Sequence, residues 1–281
     1  MTWAGAARAA RALLFVVVTN PVTGPGGLRF RVPFRSDARA LGMKTYECLE
    51  LALIRESILL DDVVVEIGAG FGITTSVLAT ITHGRVLACE PNRINRLIAQ
   101  MNLRRNRLKC VMLPCGLGYD ARARTQGYGM GARLRVRSTS GMWWPLGVRV
   151  ATFRSLLENV SNRGWRATAV VVDAEGAEHQ LFCEEGAFIR RIGLKIVAEV
   201  HCLECGSETE RGTLQYFKLL QGDGWQVRGV AAESTSGGWT RKQLRESGLE
   251  IEVAARSHAT YQDMRYVLAV AAVPPSVTPS H

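Results

Sequence analysis

A chain of 281 residues, 47% hydrophobic and 21% charged, holds enough apolar material for a sizeable core, which excludes a wholly disordered protein. With 35 Lys and Arg against 25 Asp and Glu, its net charge of +10 attracts anions, yet bulk charge alone selects no partner. No run approaches about 18 apolar residues, so no transmembrane helix is expected. The 7 Cys follow no framework of spacings, which points to a reducing, cytoplasmic setting.

The opening "AARAARALLFVVVTNP" has two arginines and a short apolar run, but no small-residue cleavage site follows. It reads as a helix running into a strand. "FVVVTN" and "LRFRVPF" flank "PVTGPGG", whose Pro and Gly favour a hairpin turn. Residues 1–41 are therefore expected to form an N-terminal extension. "TYECLELALIRESIL" carries apolar residues at helical spacing. The strand "DVVVEIGAG", helix "ITTSVLATI", strand "GRVLACEP", helix "NRINRLIAQMNLRRN" and strand "KCVMLPCG" follow. An Arg-, Gly- and Ser-rich stretch, "YDARARTQGYGMGARLRVRSTSGMWW", reads as loops or hairpins. Beyond it come helix "TFRSLLENV", strand "ATAVVVDAEG", helix "AEHQLFCEEGAFIRRI", strand "LKIVAEVH", helix "GTLQYFKLLQGDGW", and strands "QVRGVAA" and "MRYVLAVAAV". This alternation predicts an α/β doubly wound sheet over residues 42–273, with a polar tail at 274–281.

The chemistry starts at "VVEIGAGFGITTS". Gly68, Gly70 and Gly72 lie between a strand and a helix, and glycine lets a ligand approach the backbone closely. The spacing is G-x-G-x-G, whereas dinucleotide folds use G-x-G-x-x-G to seat a pyrophosphate. Glu66, just before the glycines, repels a pyrophosphate and welcomes an ammonium group. S-adenosylmethionine has an ammonium and a sulfonium and no phosphate, so it fits better than NAD. Glu90 ends the next strand about 20 residues on, where an acid pairs with two ribose hydroxyls. Asp173 and Glu175 sit at the predicted end of the fourth strand, where ligands bind in doubly wound sheets. Glu178 has two readings, a site carboxylate or an acid favoured in a first helical turn.

Four stretches in order, "YECLE" with Tyr46 and Glu47, "VVEIGAGFGITT", "ACEPNRINRLIAQMNLRRN" and "VVVDAEGAEHQLF" running on to "IVAEVH", resemble the FkbM-type S-adenosylmethionine-dependent methyltransferases. The likeness spans about Tyr46 to Val227. The chain departs from the family at Gly70 (usually Asn), at Val171 (usually Lys), and at Phe153-Arg154 (usually Leu-Asp). The resemblance implies a Rossmann-like class I methyltransferase sheet and O-methylation of a hydroxyl on a sugar, glycan or small metabolite. It implies cofactor contacts at Glu47, Glu66, Gly68, Ala69, Gly70, Gly72, Glu90, Pro91, Asn92, Cys115, Gly116 and Asp173. His201, Asp173 and Glu175 are the candidate catalytic residues, His201 as a neutral base suited to pH 7.

Other readings stay open. Asp173, Glu175, Glu199 and His201 could surround a divalent ion, but no spacing signature announces one and no metal is expected. Cys202 and Cys205 form Cys-x-x-Cys, short of the four ligands of a structural zinc site. Trp143 and Trp144 could stack on an acceptor or cover the sheet. "NLRRNRLK" and "RLRVR" allow an RNA methyltransferase, disfavoured because no base-methylating motif accompanies them. An inactive nucleoside-binding protein of the same fold is the non-enzymatic alternative.

Overall fold

The computed structural model describes residues 20–33, 48–118, 149–174, 176–202, 207–234, 238–253 and 265–275. Tyr46, Glu47, Trp143, Trp144, Glu175 and Cys205, with the Arg- and Gly-rich stretch, lie outside them.

The expected hairpin is present, one step along the chain from "FVVVTN". Strands β1 (Asn20–Thr23) and β2 (Arg29–Val32) pair antiparallel around a turn at Pro25–Gly27. Phe30 and Val32 alternate inward and pack on Ile73. The free edge of β2 is closed by side chains. Asn102 accepts from Arg31 N–H at 2.7 Å and donates to Arg31 O at 3.0 Å. Asn106 does the same for Arg29 at 2.8 and 2.7 Å. Two asparagines four apart on one helix face thus stand in for a neighbouring strand.

The main sheet is built from β3 (Val64–Ile67), β4 (Val86–Cys89), β5 (Val111–Leu113), β8 (Ala169–Val172), β9 (Lys195–Val200), β10 (Gln226–Ser234), β12 (Ile251–Val253) and β13 (Arg265–Val273). Their order is β12-β10-β13-β9-β8-β3-β4-β5, with β11 (Trp239–Thr240) on β13. The strands from β5 to β9 are parallel. β13 runs antiparallel to both neighbours, β9 and β10.

Helices α1 (Cys48–Ser57), α2 (Ile73–Ile81) and α3 (Arg93–Arg105) cover one face. Leu53, Ile54, Val77, Leu78 and Leu103 pack there on Val64, Val171 and Val197. Helices α4 (Phe153–Ser161), α5 (Ala177–Ile192) and α6 (Glu208–Gly222) cover the other. Phe153, Leu181, Phe182, Phe217 and Leu220 meet Val65, Ile67, Val170 and Val172 on that side. Parallel strands buried on both faces explain the near-continuous apolar runs "DVVVEI" and "AVVV". The fold is a doubly wound, Rossmann-like α/β sheet, as expected.

Two details correct the sequence reading. "KCVMLPCG" is not one strand: Pro114, which has no N–H to donate, separates β5 from β6 (Cys115–Leu117). β6 pairs in parallel with β7 (Arg149–Ala151) as a separate two-stranded sheet, so Cys115 and Gly116 open a strand rather than end one. Residues 239–253, left unassigned by periodicity, form β11, α7 (Arg241–Glu246) and β12. Among the described residues, no helix is long and apolar enough to cross a membrane.

Candidate active site

The site lies at the carboxyl ends of β3, β4, β8 and β9. The glycine loop is shaped by what it touches. Gly68 and Ala69 both donate their N–H to Cys89 O at 3.0 Å, which ties the loop to β4. Gly68 has φ +95, and a Cβ there would lie 1.7 Å from Asp173 O. The sequence reading reserved this space for the ligand; it is taken by the backbone after β8. Gly70 differs: its φ is +50, and a Cβ would meet nothing within 4 Å. Open space over the loop is therefore at Gly70. Gly72 packs against α3, where a Cβ would come within 2.8 Å of Ala99.

Glu90 is held by the loop it faces. Gly70 N–H donates to Oε2 at 2.8 Å and Asn92 N–H to Oε1 at 2.7 Å. With the Asn95 side chain also beside it, the carboxylate still has acceptor capacity for a further donor. Burial raises the carboxyl to about 7; the Asn92 and Gly70 amides, the Arg96 charge and the Asn95 side chain oppose the rise. Asn92 also caps α3, accepting from Ile94 N–H at 2.8 Å. Arg96 donates to the carbonyls of Glu90 and Pro91 at 2.7 and 2.9 Å, fixing the chain between strand and helix. Gly116 lies against the Pro91 ring, 3.6 Å from where a Cβ would be. Cys115 is buried beside Cys89, and the hydrogen bond between the thiols holds Cys89 above and Cys115 below the ordinary range.

Glu66 is the anomaly. It is 1% exposed in the middle of the sheet. Its carboxylate oxygens and Thr75 Oγ1 make no well-formed hydrogen bond among the described residues, and the Thr75 hydroxyl is the polar group beside the carboxyl. Burial lifts its carboxyl to about 8; the Thr75 hydroxyl opposes the rise, and the Asp173 and Glu90 charges add to it. A buried carboxyl without well-formed hydrogen bonds is costly, so such a group calls for a ligand or a function.

Beside it, period-two geometry assembles a second group. Glu66 stands opposite Val171, and Val171 opposite Val197. Asp173, Glu199 and His201 follow at steps of two and fall on the same sheet face. Glu178, in the first turn of α5, completes the arrangement. It is fully buried, and Oε1 accepts from His201 Nδ1 at 2.8 Å and from His201 N–H at 2.9 Å. Oε2 accepts from Gly176 N–H at 2.8 Å. His201 Nε2 then faces Glu199 Oε1 at 3.3 Å and Asp173 Oδ1 at 3.7 Å.

Burial works against charging the His201 ring, yet the bonded Glu178, with Asp173 and Glu199, outweighs it and lifts the imidazole to about 10. Burial alone would raise Glu178, but the same bond holds it below the ordinary carboxylate value. The expectation of a neutral His201 base is thus corrected: three carboxylates keep the ring charged at pH 7. Glu178 is more than a helix-start acid. The place of Glu199 beside His201 was available from the Glu-x-His spacing at a strand end, which puts both side chains on one face; that of Glu178 was not, because it comes from another element. Among the described residues, Cys202 faces Glu210, with Sγ 3.7 Å from Oε2, and joins no metal-ligating group.

No family model matches this chain, and no curated protein does. Solved structures share its outline at low identity. An O-methyltransferase from Bacillus cereus, in complex with S-adenosylhomocysteine, is 14% identical, with 82% of this chain and 80% of that one covered and a TM-score of 0.42. A precorrin-6y C5,15-methyltransferase from Geobacter metallireducens is 13% identical over 82% and 89% of the two chains, with a TM-score of 0.43. An rRNA methylase from Streptococcus thermophilus is 10% identical over 81% and 95%, with a TM-score of 0.39. No family, cofactor or acceptor is carried over from proteins this distant.

Proposed function

We propose that the chain is a class I S-adenosylmethionine-dependent methyltransferase that methylates a hydroxyl on a sugar, glycan or small metabolite. The observation that carries this reading is Glu66, a buried carboxyl beneath a glycine loop with the Thr75 hydroxyl as its neighbour and no well-formed hydrogen bond to either oxygen. An ammonium group near it, direct or through water, removes the cost of that burial. The rest of the pocket fits the same cofactor. Gly70 leaves room at the loop, and Glu90, held in place by the Gly70 and Asn92 amides, is an acceptor for ribose hydroxyls. A pyrophosphate in their place would face Glu66 and Glu90, which disfavours NAD.

In this reading Glu66, Gly68, Ala69, Gly70 and Gly72 border the methionine end, and Glu90, Pro91 and Asn92 the ribose. Cys115 and Gly116 border the adenine. Glu47 and Glu175 complete the set that the FkbM-type resemblance implies. The bound cofactor supplies an electrophilic methyl group. The protein's own contribution is orientation of an acceptor hydroxyl at the ends of β8 and β9. Asp173 and Glu175 are the carboxylates expected beside that hydroxyl to receive its proton. His201, charged, holds Asp173 and Glu199 in place rather than taking the proton itself.

Calorimetric titration with S-adenosylhomocysteine, with NAD as control, tests the cofactor. Micromolar binding of the former alone supports the reading, and no binding of either overturns it. Transfer of a labelled methyl group to glycans and small metabolites, but not to RNA, tests the acceptor class.

A further inference from the structure

We propose that Asp173, Glu199 and His201 form a binding site for one divalent cation at the carboxyl ends of β8 and β9. Their donor atoms lie within 4.8 Å of one another. The Nε2 of His201 is 3.3 Å from Glu199 Oε1 and 3.7 Å from Asp173 Oδ1. Donors around one ion at about 2.1 Å sit roughly 3–3.5 Å apart, so little movement brings these three onto a shared cation. Their side chains are 28%, 17% and 14% exposed for Asp173, Glu199 and His201, which leaves the site open to an ion from solvent.

The imidazole is set for this task. Its Nδ1 is bonded to the fully buried Glu178, the arrangement by which a carboxylate fixes tautomer and ring angle in a metal-bound histidine. With Nδ1–H given to Glu178, Nε2 is the ring atom turned to Glu199 and Asp173, where a metal ion would displace the ring's second proton.

Asp173 and Glu199 bring two carboxylates to one imidazole nitrogen, and the Asp173 charge is felt as far as the buried Glu66. Two carboxylate oxygens and one imidazole nitrogen suit Mn2+ or Zn2+ better than Ca2+, which prefers oxygen alone.

The test is titration of the full chain with MnCl2 by calorimetry, with free Mn2+ followed by its electron paramagnetic resonance signal. One ion per chain is expected, and Glu199→Gln should weaken it about tenfold or more. Glu158→Gln, an exposed acid on α4, should bind Mn2+ as the wild type does. If Glu199→Gln does not fold, the His201 ring signals of the wild type are followed by NMR; substoichiometric Mn2+ should broaden them. The proposal is overturned if neither Mn2+ nor Zn2+ binds at about 1 mM. It is equally overturned if binding survives Glu199→Gln unchanged, or if the His201 signals stay sharp. Because the readout is metal uptake, its failure leaves the methyltransferase reading untouched.

Discussion

Glu178 Oε1 accepts two hydrogen bonds from one residue, the ring Nδ1 and the backbone N–H of His201, at 2.8 and 2.9 Å. A carboxylate acting only on a helix dipole is worth under about 1 kcal/mol. A buried carboxylate removed from its charged partner costs about 3–5 kcal/mol. Glu178→Ala should therefore lower unfolding free energy in urea by the larger amount. Glu208→Ala, an exposed acid in the first turn of α6, serves as the comparison and should cost less than about 1 kcal/mol. Equal small losses would return Glu178 to a helix-start role.

Glu66 makes stability depend on pH. Its folded-state pKa is about 8 against an ordinary 4.5. A group raised on folding favours the folded state most below its unfolded pKa, and that contribution is lost as pH rises through the folded value. The window is thus pH 4.5 to 8. Glu66→Gln cannot titrate, so its melting temperature should gain on the wild type across that window. A constant difference between the two would contradict the burial of this carboxyl.

Two glycines of one loop should fail differently. Gly68→Ala puts a Cβ 1.7 Å from Asp173 O and should prevent stable folding. Gly70→Ala meets nothing within 4 Å and costs about 1–2 kcal/mol for its left-handed backbone. It should fold, with a cooperative thermal transition, and bind S-adenosylhomocysteine about tenfold more weakly or worse. A folded Gly68→Ala would contradict the contact between the loop and β8.

Cofactor affinity should itself follow pH. Ribose hydroxyls donate to an ionised Glu90, whose pKa is about 7. Below that value the protonated fraction rises and affinity falls. Binding of S-adenosylhomocysteine at pH 6 should be roughly tenfold weaker than at pH 8. Glu90→Gln should bind weakly with a shallower profile. A flat wild-type profile would argue against Glu90 as the ribose ligand.

What could be read from the sequence was local. "ITTSVLATI" and "AEHQLFCEEGAFIRRI" are helices over the expected residues, because a left-handed glycine precedes each and the apolar spacing is regular. Trp239 to Val253 was missed because its signals are short. Its capping box is Thr240 with Gln243, and Trp239 is anchored by distant partners, a bond to Val200 O at 2.7 Å, 39 residues away, and pairing with Tyr266. Non-local pairings stay hidden for the same reason. Asn102 reads as one more polar helix residue until Arg31 and Phe71 are beside it. In the site, residue types and spacing pointed to Glu66, Glu90 and Asp173. The charge of His201 was not legible, since it depends on Glu178, Asp173 and Glu199 converging from three elements.

The placement of β13 has a consequence for synthesis. It is the last strand described, yet it lies inside the sheet, hydrogen-bonded to β9 on one side and β10 on the other. While a ribosome is still making it, β9 and β10 each present a bare backbone edge, and β10 has no place on the sheet. Every nascent chain must therefore hold most of its length in a half-built state until residues 265–273 emerge. Chaperone demand should concentrate in the interval before β13 emerges and pairs.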